Sequence, residues 1–429
     1  MNAVASRAGW LATGWQARQA VGLLDVGSSK IACLIIAPAH PSTARGAAGA
    51  RVLGAGTVPS HGMNERRVVG LEAAELGVRA AVEEAERTAG VRLKDVVLAV
   101  TGADLRSHRF TAHTRLSGRL VAGVDRARMM AGARSYAERD GRTVLQLVCH
   151  GYRLDDATGI IEPEGLAGQR LAADLGAVTA DAAQLRNLLH VIERAYLRPA
   201  RVAPAPCASA LAATSADERR RGVIAADMGA GGTALALFSE GRLAWLGCVP
   251  VGGDHITRDI ARELGVSCRE AERIKRECGT LGVTAADEAA IVLPAGACRN
   301  ASSPLPVSRE RVRALVRDRL IDLCARIAEV VAQSGVAART PAGAVLSGGA
   351  SQQPGLPELA TPLLGLAVRR ARIAQLPGIP AAFANPAFAT AVGLAGVALD
   401  PAAGMHANLG PAHASGYLTR IGQWLAESF

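Results

Sequence analysis

Two short stretches combine an aspartate with glycine in a way that suits phosphate. Residues 25–30 read DVGSSK and residues 227–232 read DMGAGG, each set between two apolar runs. Glycine removes the side chain, so backbone N–H groups can approach an anion closely and φ can turn positive. Successive amides in such a turn form a concave nest for phosphate. The aspartate ahead of each turn repels phosphate unless a divalent cation lies between them, usually with water in its inner shell. Asp25 and Asp227 facing each other across a cleft would make a site for Mg²⁺ and a polyphosphate.

Taken singly, strand–Asp–Gly–strand is an ordinary β-hairpin signal. Specificity comes from recurrence and order. VGLLDVGSSKIACLIIA and GVIAADMGAGGTALALF share one layout, and a third glycine turn, Ser347, Gly348, Gly349 and Ala350, follows the apolar run GAVL. Two copies about two hundred residues apart predict a duplicated domain.

The elements that must position these turns are read from periodicity. Residues 71–89 repeat apolar positions at helical spacing, and 96–100 form a buried-type strand. Residues 106–179 hold a helix (DRARMMAGARSYAE) and a strand (TVLQLVCHGYRL) and read as an inserted subdomain, closed by the amphipathic helix DAAQLRNLLHVIERAYL. Residues 254–280 read as helical and 308–333 as one long amphipathic helix. The uncharged stretch 373–399 is broken by Pro377, Pro380, Asn385 and Pro386, so it reads as a loop and a small-residue core helix rather than a membrane span.

Composition narrows the function classes. With 429 residues, 49% hydrophobic and 20% charged, the chain is globular with two or more lobes. The net charge of +10 favours acidic partners. Lys30, Lys94 and Lys275 are the only lysines, an arginine skew that fits coding bias, and no basic block is interleaved with aromatics, so no nucleic-acid partner is expected. The eight cysteines form no C-x-x-C pair, which predicts reduced core thiols rather than a metal cluster. The first twenty residues contain no continuous apolar core of a signal peptide.

The ordered set of turns resembles the actin and DnaK-type ATPase superfamily. That resemblance implies an α/β, actin-like fold with two duplicated RNase-H-like lobes around a nucleotide cleft, with ATP and Mg²⁺ as ligands. It makes the first hairpin the phosphate-1 loop, with Asp25, Gly27, Ser28, Ser29 and Lys30, and the second the phosphate-2 loop, with Asp227, Gly229, Gly231, Gly232 and Thr233; LSGGAS, with Gly348, Gly349 and Ala350, becomes the adenosine motif. Glu272 and Lys275 in EAERIK match the positions that reach the ribose and base; the alternative for this pair is a solvated ion pair. The superfamily's water-orienting acidic or amide residue falls on Ala205, in VAPAPCASALAAT. Without it hydrolysis should drop by roughly 10²–10⁴-fold, leaving ATP binding with slow or negligible turnover.

Three longer stretches narrow the resemblance: RVLGAGTVPSHGMNERRVV; RTVLQLVCHGYRLDDATGIIEPEGLAGQRLAADLGAVTA; and VPVGGDHITRDIARELGVSCREAERIK, which contains Gly252 and Gly253. Together they resemble the bacterial cell-division family FtsA from about residue 21 to 400. The division this implies is an N-terminal tail, 1–20, and lobe 1 from 21–105, 184–222 and 375–400. An inserted subdomain spans 106–183; lobe 2 takes 223–258 and 329–374, with a smaller subdomain at 259–328. A flexible linker, 401–416, then leads to a terminal helix, 417–429.

That last segment, YLTRIGQWLAESF, can be read on its own. At 100° per residue Tyr417, Leu418, Ile421, Trp424, Leu425 and Phe429 share an arc of about 140°, which suits the interface of a bilayer. Its polar face carries only Arg420 and Glu427, so one copy should bind weakly and reversibly. The family resemblance adds self-assembly at the cytoplasmic face of the inner membrane at the septum, and tethering of the tubulin-like FtsZ through its C-terminal peptide. It also implies recruitment of later division proteins. Arg319 falls on the family's peptide-contacting arginine and Asp322 on its neighbouring acid, with Arg317 beside them. Two other readings share the fold: a PilM-like type IV pilus scaffold, against which the amphipathic tail argues, and a small-molecule kinase, which would need a base in the cleft.

Overall fold

A computed structural model of the chain describes residues 20–38, 49–282, 290–293, 305–335 and 341–399. The membrane-binding positions expected at 417–429, the linker before them and the first nineteen residues lie outside the described residues.

Apolar residues that fit a pleated surface make Val21–Val26 and Lys30–Pro38 the first hairpin, paired antiparallel with Asp25 opposite Ala32. Ala50–Pro59 extends it antiparallel on the far side. Asp95–Val100 and Arg198–Pro204 add parallel strands on the near side, and the fully buried run Val96, Leu98, Ala99 and Val100 has the composition a covered parallel strand requires. The sheet order is Arg198–Pro204, Asp95–Val100, Val21–Val26, Lys30–Pro38, Ala50–Pro59. The second lobe repeats it as Val368–Arg370, Ala344–Ser347, Val223–Met228, Thr233–Ser239, Arg242–Val249. The duplication seen in two hairpin motifs therefore extends to two whole sheets.

Two small-residue helices, Ala205–Ala213 and Ala389–Leu399, cross between the lobes. One apolar cluster runs through them from Leu98 in the first lobe to Ala225 and Phe238 in the second. Their approach is tight: a Cβ at Gly393 would lie 1.7 Å from the Ala208 carbonyl oxygen. The uncharged stretch thus resolves into a loop and a buried helix, and among the described residues no helix is long and apolar enough to cross a membrane.

The insert builds its own four-stranded sheet, ordered Arg106–Arg115, Arg170–Asp181, Arg142–Leu154, Ala157–Ile160, with the helix Gly123–Ala137 laid on it. Leu116, Met129, Leu171 and Leu175 form a core separate from the lobes. It touches the second lobe where the Ser107 hydroxyl donates to the Leu246 carbonyl at 2.7 Å and accepts from its N–H at 2.8 Å.

The segment expected to be helical over 254–280 is two helices, Gly253–Leu264 and Cys268–Cys278. Gly265, at φ 65°, ends the first, and the Ser267 side chain caps the second by accepting from the Glu270 N–H. The break folds Glu272 and Lys275 back onto the first helix. Arg309–Gln333 is one long helix packed against both. Among the described residues all cysteines are free thiols, four of them buried and Cys268 exposed.

Candidate functional site

The two glycine turns close in the same way. The Gly27 N–H donates to the Lys30 carbonyl at 3.0 Å, and the Gly229 N–H donates to the Gly232 carbonyl at 3.0 Å. The turns also meet: a Cβ at Gly231 would lie 2.8 Å from Ser28 Oγ. Ser29 is exposed beside them, and its carbonyl accepts from the Ser60 N–H at 3.0 Å.

The start of helix Gly253–Leu264 is stitched to the second turn. The N–H groups of Gly253 and Asp254 donate to the carbonyls of Gly229 (2.9 Å) and Ala230 (3.0 Å). A Cβ at Gly252 would lie 2.5 Å from Gly229 O, Ala230 O and Gly232 N together. The positive end of the helix dipole is thereby held against the glycine turn, an arrangement that favours anions. Gly348, at φ 83°, brings the third turn onto Asp227, whose Oδ1 would be 2.5 Å from a Cβ there. Gly349 faces open space, and a Cβ at Gly253 would lie 3.5 Å from the Ala350 methyl and 3.6 Å from Lys275 Nζ.

Glu272 and Lys275 are joined at 2.5 Å. The pair is not a loose solvated bridge. Lys275 Nζ also donates to Thr257 Oγ1 (2.8 Å) and to the Gly253 carbonyl (3.2 Å), while Thr257 Oγ1 donates to Glu272 Oε2 (2.6 Å). Thr233 is placed differently from its expected role. It is fully buried and its hydroxyl donates to the Val251 carbonyl at 2.9 Å, so it braces the turn from behind rather than facing the cleft.

The electrostatics centre on three groups. Burial pushes the Asp25 carboxyl up to about 6, with Lys30 and a 3.3 Å hydrogen bond from Thr101 opposing it and the charge of Asp227 reinforcing it. Burial likewise raises Asp227, against the Thr390 hydroxyl at 2.9 Å, Lys30, Ser209 and Arg66. Burial lowers Lys30, which both carboxylates pull back up and which stands 4.7 Å from the Phe388 ring centroid. Two desolvated carboxylates that repel each other fit a divalent cation completed by phosphate and water. Among the described residues no group of three or more His, Cys, Asp or Glu forms a protein-only metal site, so such a cation would need the phosphates as partners. If a cation is held there, Asp25 on protonation becomes neutral and would lose its hold on it. Mg²⁺-nucleotide affinity should therefore stay level above about pH 7 and fall as pH drops through about 6, by up to roughly tenfold per unit. Titration calorimetry across pH 5–8 checks this.

Ala205 opens helix Ala205–Ala213 and is fully buried, with only a methyl group to offer. One turn later the Ser209 hydroxyl lies 2.8 Å from that of Ser347, a buried contact between the lobes. Thr101, Ser209 and Thr390 were not expected at the site. They reach it from three separate segments and carry no motif of their own.

Away from the cleft, Arg319 Nε is 2.7 Å from Asp259 Oδ2 and its Nη1 is 3.5 Å from Asp322 Oδ2. Asp322 is shared with Arg326 at 3.0 Å, and Arg317 is exposed. The three positions lie along helix Arg309–Gln333, with Arg319 tied to helix Gly253–Leu264 through Asp259.

Twin sheets of equal strand order, joined by crossing helices and facing each other with glycine turns, define an actin-like ATPase fold. Solved structures agree on the fold. The PilM–PilN type IV pilus biogenesis complex matches with a TM-score of 0.63 at 18% identity, covering 90% of this chain and 100% of that one. MreB5 of Spiroplasma citri bound to ADP matches at 0.51 and 13%, covering 88% and 96%. The family model for cell division protein FtsA matches residues 224–393, and that for the SHS2 domain inserted in FtsA matches 102–179. The FtsA of Agrobacterium fabrum is 34% identical over 421 residues, 95% of each chain; that of Rhizobium meliloti is 35% identical over 427 residues, 95% of each. FtsA of Escherichia coli is 27% identical over 423 residues, 96% of this chain and 99% of that one. The chain belongs to the FtsA family of cell-division proteins.

Proposed function

We propose that this chain binds ATP with Mg²⁺ in the cleft, self-assembles at the cytoplasmic face of the inner membrane, and tethers the FtsZ ring there for later division proteins to join. The observation that carries the nucleotide reading is the convergence of Gly27–Lys30 closure, Gly229–Gly232 closure and the helix start at Gly253 on one cleft flanked by two carboxylates. Family membership supports the division role. Turnover is slow, because Ala205 supplies no group to orient water; a phosphate-release rate like that of active actin-like ATPases would refute this.

The terminal segment supplies the membrane contact. Six apolar side chains on one face give attraction at about 25 cal/mol per Å², much of it offset by ordering the helix. Single copies bind weakly, and a polymer gains roughly 10²–10⁴-fold through avidity. Cosedimentation with liposomes and FtsZ tests the whole proposal. The full chain with ATP should pellet FtsZ with the vesicles, whereas a chain ending at Asp400 should leave FtsZ behind. Liposome binding that ignores both ATP and the truncation would sink it.

Arg319 is the peptide anchor in this reading. Its guanidinium is already paired with Asp259 and Asp322, so an incoming peptide carboxylate exchanges for an internal one. Arg319→Glu should weaken the FtsZ C-terminal peptide by at least about tenfold, the scale of one lost charge-assisted contact. Fluorescence anisotropy with the labelled peptide reads it, and unchanged affinity removes the assignment.

A further inference from the structure

The narrow turn between Met63–Asn64 and Arg67–Val68 belongs to the first lobe but ends on the second. Its tip residues Glu65 and Arg66 sit at φ 44° and 67°, the two left-handed positions of a tight two-residue hairpin turn, which residues other than glycine, asparagine and aspartate seldom fill. Two constraints are evident. The Arg66 N–H donates to Ser28 Oγ at 2.9 Å, and a Cβ at Gly102 would lie 1.7 Å from the Arg66 carbonyl. Held so, the Arg66 side chain crosses to the second glycine turn, where a Cβ at Gly232 would lie 2.9 Å from its Cζ and 3.0 Å from Nη2. Its Nη1 is buried without a hydrogen-bond partner. Glu65 reaches Arg258 on helix Gly253–Leu264 at 3.7 Å. Beside the turn lies a cavity of about 130 Å³ lined by Val26, Arg66, Thr101 and Gln184 among others.

A guanidinium with an unused donor, aimed from one lobe at the amide nest of the other, is built to meet an anion between them. We propose that Arg66 is the contact through which the first lobe reads the terminal phosphate of a nucleoside triphosphate seated on residues 229–232. The proposal rests on the nucleotide reading above and adds to it a residue that discriminates triphosphate from diphosphate. Arginine suits the task because its planar fork bonds two phosphate oxygens at once. A diphosphate, ending one phosphoryl group short, leaves the guanidinium on the bare turn.

The test is titration calorimetry of ATP and ADP, each with Mg²⁺, on the full chain, Arg66→Ala, Arg66→Gln and Arg66→Lys. Loss of one charged, bidentate contact should weaken ATP by about 10- to 100-fold in the alanine and glutamine variants. ADP should change by less than about threefold, and lysine, a point charge without the fork, should fall between. Arg66→Gln retains length and hydrogen bonding, so it reports even if the alanine variant fails to fold. Equal weakening of both nucleotides would make Arg66 a structural brace and overturn the proposal. Unchanged ATP affinity would overturn it too, as would tighter binding of both nucleotides, the mark of a plug. Failure of the unaltered chain to bind either nucleotide would overturn the nucleotide reading itself, and this proposal with it.

Discussion

Gly252→Ala is expected to lower ATP affinity by at least about 100-fold. A single methyl group there would stand 2.5 Å from Gly229 O, Ala230 O and Gly232 N, three backbone atoms of one turn. No flexible side chain is available to give way, so the turn or the helix start must move. Movement breaks the hydrogen bonds from Gly253 to Gly229 and from Asp254 to Ala230, which hold the helix dipole against the turn. A displaced turn would withdraw the other amides proposed to face phosphate, and two such charge-assisted contacts, at about 1.5–3 kcal/mol each, give a factor of 100 or more. Calorimetric titration reads it, with circular dichroism to establish that the sheets persist. A change below about threefold would mean that phosphate does not lie on this turn.

The second large effect concerns stability. Gly393→Val should cost about 3 kcal/mol, the upper end of the usual range for overpacking. At 1.7 Å, a Cβ at this position overlaps the Ala208 carbonyl outright, and both helices are buried on all sides. The crossing also carries the contact between the lobes, with Ser209 one residue from the clash. Differential scanning calorimetry should show the main transition lowered by about 3 °C. Gly396→Ala, three residues on, is the comparison. Its nearest neighbour would be the flexible tip of Leu211 at 3.3 Å, so the cost there should be much smaller.

The cleft was legible because its parts are local. Asp25 with Gly27 and Asp227 with Gly229 announce strand–turn–strand within a few residues, and each paired as its pattern implied. The helix at 71–89 was legible for the same reason: its periodicity is written in consecutive residues. What supports the carboxylates was not legible. Thr101 reaches Asp25 from 76 positions away and Thr390 reaches Asp227 from 163, and neither has a neighbour in sequence that hints at the contact. Thr233 shows a different limit. Its type and position suited phosphate, yet its place at the start of a buried strand turned the hydroxyl toward Val251. The break between Cys268–Cys278 and the helix before it is marked in the sequence by Gly265 and Ser267 alone, two residues inside a charge-rich stretch that otherwise suits one helix.

Helix Gly253–Leu264 is fastened at its first residue to the turn proposed to hold phosphate, and at Asp259 to the arginine proposed to hold the FtsZ peptide. A helix fastened at its start and again at its middle links the two contacts, and equilibrium linkage demands symmetry. By whatever factor a bound triphosphate alters the hold on FtsZ, a ring crowded with FtsZ tails alters the hold on triphosphate by the same factor. Nucleotide occupancy would then report how much ring is overhead, without any exchange factor to carry the message.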